Sequence, residues 1–133
     1  MDRKFVISFA VVLILLWFAG FFVHGVLLAN DYAQLPNLMR PQDSFHTLWP
    51  FMLLGRIFQS FAFCYIYIKG AEDRPWLPQG VRYGILITLL LVIPTYLIYY
   101  VVMPLPFVLA VKQIALDGVA TVLLGIVVAW INR

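Results

Sequence analysis

Charge is scarce in this chain. Only 11% of its residues are charged, against about a quarter in an average soluble domain, while 64% are hydrophobic and the mean hydropathy is +0.96. That composition excludes an ordinary water-exposed globular surface, and the chain reads as an integral membrane protein. Cysteine is nearly absent: the single Cys64 lies in an apolar run, which excludes an internal disulfide and any CxxC metal spacing. Histidine is almost as rare. His24 and His46 form no HxxxH or HExxH pattern, and no Gly-rich phosphate loop or nucleophile elbow is present. No catalytic residue, metal site or cofactor is therefore expected, and the expectation is a protein that is not an enzyme. The nine Lys and Arg are scattered rather than clustered, so the net charge of +3 argues for membrane topology and against a nucleic-acid partner.

What is present is a series of long apolar runs. The first follows Met1-Asp2-Arg3-Lys4 and continues over residues 5–28, too long for the apolar part of a signal peptide and without a small-residue cleavage site after it. It reads as a retained span, long enough for a hydrocarbon core about 30 Å thick. Further spans are expected over 48–69, 81–103 and 107–131. Thr47 is the expected N-cap of the second, with Pro50 in its first turn. Residues 29–47, with Pro36, Pro41, Asp31, Arg40 and Asp43, read as a loop over the bundle mouth. Residues 70–80 read as a charged turn in which Trp76 anchors the membrane interface. Pro94 should kink the third span, and Tyr96, Tyr99 and Tyr100 beyond it read as an aromatic belt. Arg3, Lys4, Lys69, Arg74, Arg82 and Arg133 fall on the side of the termini, against Arg40 on the other. By the positive-inside rule both termini are cytoplasmic, and the fold class is all-α: a single-domain integral membrane antiparallel four-helix bundle.

The polar residues inside the spans are few and lie to one side. Counted from the helix ends, His24 is roughly 6 Å, Lys112 roughly 8 Å, Arg56 roughly 12 Å, and Gln59 and Asp117 roughly 16 Å below the non-cytoplasmic surface. Because the spans alternate in direction, this clustering is not a consequence of sequence proximity. Gln113, Asp117, Thr121, Gly125 and Ala129 recur every four residues and give the fourth span one polar and small-residue stripe. Gly84, Thr88 and Thr95 offer a similar stripe on the third. Lys112 is about 140° around the helix from Asp117, so it is expected to snorkel toward the surface. Arg56 is close in depth to Asp117. An Arg56–Asp117 ion pair supported by Gln59 and Gln113 is therefore expected, because ionisable groups in hydrocarbon require partners. Such a pair serves helix register as readily as chemistry.

Several fragments recur together in a recognisable way: His24-Gly25, Asp31-Tyr32, Leu35-Pro36-Asn37-Leu38, Tyr67-Ile68-Lys69-Gly70, Pro75-Trp76-Leu77, Tyr96-Leu97-Ile98-Tyr99-Tyr100 and Lys112-Gln113 with Asp117. Over almost its full length the chain resembles a group of short bacterial inner-membrane proteins of unknown function. The resemblance implies four spans and a multi-pass protein of the bacterial inner (plasma) membrane, and it carries no activity.

Two readings of function follow. In the first, the protein is a non-enzymatic accessory or structural subunit that associates with itself or with a larger membrane complex, its apolar faces packing on protein as well as on the lipid bilayer. In the second, His24, Arg56, Gln59, Lys112, Gln113 and Asp117 form an outward-facing polar pocket. Such a pocket would handle protons or hold an anionic head group or a quinone-like molecule.

Overall fold

The computed structural model describes residues 2–133, and within them the secondary structure is entirely helical. Four helices are long and apolar enough to cross a membrane: α1 (Arg3–Leu27), α3 (Gln42–Gly70), α4 (Trp76–Val102) and α5 (Phe107–Ile131). A short helix, α2 (Ala29–Ala33), lies between the first two.

Local chemistry places the ends. Asp2 caps α1, its carboxylate accepting from the Lys4 backbone N–H at 3.3 Å. The last part of α1, Phe21–Leu27, is wound as a wide π-helical turn that contains His24 and Gly25. Helix α3 starts six residues earlier than its apolar run, at Gln42 rather than Leu48, so Thr47 is not its N-cap and Pro50 lies inside it. Pro41 supplies a helix-compatible start, and Asp43 in the first turn complements the helix dipole. The carbonyl that Pro50 frees is that of His46, an exposed residue, so the interruption is tolerated. Helix α4 likewise begins early, at Trp76 behind Pro75, which places Pro78 in the first turn, where the missing donor is harmless, and puts Gly80 inside the helix. The expected disturbance around Pro94 takes the form of a second π-helical turn, Thr88–Val92, directly before it.

Packing is tightest between α4 and α5. A Cβ on Gly84 would lie 2.5 Å from the Val122 Cα, and one on Gly80 would lie 2.7 Å from the Ala129 Cβ. Hydrogen at these positions is what lets the two backbones approach. Helix α1 packs on α3, with Phe5 and Phe61 edge to face at 5.4 Å, and on α5. Val12, Leu16, Phe63, Cys64, Leu124 and Val128 form the core between these elements. A smaller apolar cluster, Val23, Leu28, Leu105 and Leu109, closes the end near α2. At the other end Lys4 Nζ donates to the Arg133 carbonyl at 2.9 Å, which brings the two ends of the chain together. Helices α3 and α4, although joined by a short turn, hardly pack on each other.

Candidate functional site

The intramembrane polar groups meet between α1, α3, α4 and α5. Asp117 is about ten residues into α5, and Thr121 Oγ1 donates to its carbonyl at 2.7 Å. Its carboxylate oxygen Oδ2 contacts His24 Nε2 at 3.0 Å and accepts a short hydrogen bond from the Tyr96 hydroxyl. The other ring nitrogen, His24 Nδ1, lies 2.6 Å from the Tyr32 hydroxyl on α2, and Gln113 Nε2 donates to that same hydroxyl at 2.9 Å.

Donor accounting sets the direction of this chain. Asp117 Oδ2 can only accept from His24 Nε2, which leaves Nδ1 of the neutral ring to accept the single Tyr32 hydroxyl proton while the Tyr32 oxygen accepts from Gln113. His24 Nε2 then carries the ring proton and donates to Asp117, a tautomer assigned from these partners. The order is Gln113 to Tyr32 to His24 to Asp117, with Tyr96 donating from the other side. Burial pushes the Tyr32 hydroxyl above its ordinary value of 10.0; the Gln113 hydrogen bond opposes this, and the charges of Asp117 and Asp31 add to it. Gln113 is buried, and its Oε1 has no partner among the described residues.

Arg56 is the midpoint of α3, well inside its membrane-length apolar run. Its guanidinium extends over Gly20 of α1, where a Cβ would come within 2.6 Å of Nη2. Nη1 donates to Gln59 Oε1 at 2.9 Å, and the Arg56 carbonyl accepts from the buried Ser60 hydroxyl at 2.7 Å.

The expected Arg56–Asp117 ion pair does not form: among the described residues, no carboxylate lies within 4.0 Å of the Arg56 guanidinium. Two features displace it. The π-helical turn of α1 presents His24 to Asp117, and the bare backbone of Gly20 gives the guanidinium a seat apart from the carboxylate. Gln59 supports Arg56 as expected, whereas Gln113 turns to Tyr32 instead of Asp117. Lys112 does not merely snorkel; its Nζ pairs with Asp31 at 3.0 Å and ties α5 to α2.

Between the two poles lies a cavity of about 740 Å³. Gly20, His24, Arg56, Gln59, Tyr96 and Asp117 line it, together with apolar side chains including Leu16, Met52, Phe58 and Leu91. Lys112 and Gln113 stand outside it. Its volume is within the usual range for small-molecule sites. At one end Arg56 Nη2 and Nε and the Gln59 amide N–H groups make none of the hydrogen bonds found among the described residues; at the other, the same is true of Asp117 Oδ1. The cavity therefore offers donors at one pole and an acceptor at the other. Among the described residues no three His, Cys, Asp or Glu side chains gather as a metal ion would require.

Sequence reasoning missed Tyr32 and Tyr96. Tyr32 carries no periodic signal, since it lies on a five-residue helix, and Tyr96 was grouped with Tyr99 and Tyr100, which are exposed. The Pro94 interruption two residues earlier was the available sign that Tyr96 does not share their environment. No known family, curated protein or solved structure matches the chain.

Proposed function

We propose that this protein binds an acidic amphipathic small molecule within the membrane. The observation that carries the reading is Arg56: a guanidinium at the middle of a membrane-length helix, facing a cavity, with, among the described residues, a single side-chain acceptor and no carboxylate in ion-pair range. Ionisable groups at that depth are costly and normally partnered, so the geometry leaves a place for an anionic group at Arg56 and Gln59. Asp117 Oδ1, across the cavity, suits a hydroxyl or amine of the same molecule, and Leu16, Met52 and Phe58 suit its apolar part. The His24–Asp117–Tyr96 cluster fixes the acceptor pole in place.

In this reading the chain is an antiparallel four-helix bundle of the bacterial inner membrane with both termini cytoplasmic, and the pocket lies toward the non-cytoplasmic side. The basic residues gathered near the termini support that orientation. The accessory-subunit reading draws on the many exposed apolar side chains, such as Phe51 and Val101. Those faces suit lipid as well as protein, so they favour neither function, whereas the cavity supports the binding reading.

Oleate and oleyl alcohol, identical in chain and different in head group, provide the test. In nanodiscs oleate should raise the melting temperature of the wild type more than oleyl alcohol does, and Arg56→Gln should remove the difference. Equal shifts from both compounds, or a difference that survives in Arg56→Gln, would overturn the proposal.

A further inference from the structure

A second cavity, independent of the first, opens between α3 and α4 near the chain termini. It holds about 460 Å³. One wall is a single face of α4: Pro78, Arg82, Leu86 and Leu90 recur every four residues, and the other wall includes Ile66, Tyr67 and Gly70 of α3. The crevice exists because the two helices hardly pack on each other and are bridged instead by Tyr83. Its ring lies edge to face on Phe63 at 4.9 Å and on Tyr67 at 5.3 Å, and its hydroxyl donates to the Phe63 carbonyl.

The crevice is polarised along its length. At the mouth are Arg82, Arg74 and Glu72; Glu72 is already held by Arg74 Nε at 2.6 Å, and Arg82 has no carboxylate in ion-pair range among the described residues. Two guanidiniums against one carboxylate leave the mouth positive. Asp73 and Lys69 flank the turn without lining the space. Below Arg82 the wall becomes apolar, and Leu90 lies about 12 Å deeper along the helix. Leu86 and Leu90 are 51% and 64% exposed, so the crevice is open sideways to the bilayer rather than closed by protein.

We infer that this crevice binds an anionic phospholipid, its phosphate at Arg82 and Arg74 and an acyl chain along Leu86 and Leu90. Charge complementarity selects the head group, and basic clefts between spans on the cytoplasmic side are suited to anionic lipids. The open, apolar lower half selects a lipid over a soluble phosphate, which would leave that half unfilled.

Native mass spectrometry of the full chain, titrated with phosphatidylglycerol and phosphatidylcholine of identical acyl chains, tests the assignment. The wild type should retain phosphatidylglycerol about fivefold more than phosphatidylcholine, the preference expected from one basic residue at the surface. Arg82→Gln should bring the ratio near one, and Arg82→Lys should restore most of it. Arg40→Gln, an exposed residue before the start of α3 and outside both cavities, should leave the ratio unchanged. Equal retention of the two lipids by the wild type, a ratio unaffected by Arg82→Gln, or one lowered equally by Arg40→Gln would overturn the assignment. Competition by millimolar inorganic phosphate would also overturn it, because the crevice would then be reading the head group alone.

Discussion

His24 Nε2 lies 3.0 Å from Asp117 Oδ2, and it is this imidazole, not the Arg56 guanidinium, that partners the deepest carboxylate. The pairing predicts which residues are energetically coupled. In a double-mutant cycle of unfolding stability, His24→Gln and Asp117→Asn should show an interaction of about 1 kcal/mol, the scale of hydrogen bonds between membrane helices. Arg56→Gln and Asp117→Asn, which share a cavity but no hydrogen bond, should show a smaller interaction than that. A strong coupling of Arg56 to Asp117 would restore the direct ion pair.

The α4–α5 interface predicts a contrast between glycines. Gly84→Ala forces a Cβ to 2.5 Å from the Val122 Cα, where backbone must move, and should cost about 1–3 kcal/mol. Gly55→Ala meets nothing within 4 Å, and relief of glycine's entropy in a helix should stabilise the protein by about 0.5–1 kcal/mol. Thermal unfolding in one detergent compares the two.

Tyr32 should matter more than the ion pair beside it. Tyr32→Phe removes a partner from both His24 and the buried Gln113, whose Oε1 already has none among the described residues, and should cost about 1–3 kcal/mol. Asp31→Asn breaks only the Lys112 contact, whose side chains are 27% and 48% exposed, and should cost less than about 1 kcal/mol and less still in high salt.

Alkali should destabilise the fold through the same tyrosine. Burial raises the Tyr32 hydroxyl above its ordinary 10.0, so above that pH the folded chain holds a proton that the unfolded chain releases. Stability is full below pH 10.0 and falls as pH rises from there toward the folded-state value. In urea or thermal unfolding from pH 9 to 11, Tyr32→Phe should show a shallower decline than the wild type. Identical slopes would mean that Tyr32 ionises as freely in the folded chain as in the unfolded one.

The spans were legible because hydrocarbon imposes a length of about 20 apolar residues on any helix that crosses it. Their ends were less so: Gln42 to Thr47 and Trp76 to Gly80 are polar or Pro-containing, yet helix continues past the apolar run into the interface. The stripe from Gln113 to Ala129 was legible as period four, and its glycine does lie against α4. Depth counting brought Arg56, Gln59, His24 and Asp117 to one cavity, but it could not assign partners. Partner choice depends on which way each side chain faces, and the π-helical turn at Phe21–Leu27 changes that angle without a mark in the hydropathy. Tyr32 was hidden for a related reason, since it arrives on a helix too short to carry a pattern.

The most direct test of the central claim is native mass spectrometry of the protein extracted gently from the membrane in which it is made, wild type beside Arg56→Gln. The account predicts that the wild type retains an acidic amphipathic small molecule at fixed stoichiometry and that Arg56→Gln loses it while remaining folded. A protein partner at fixed stoichiometry with no such molecule, or a molecule retained equally by Arg56→Gln, would contradict it.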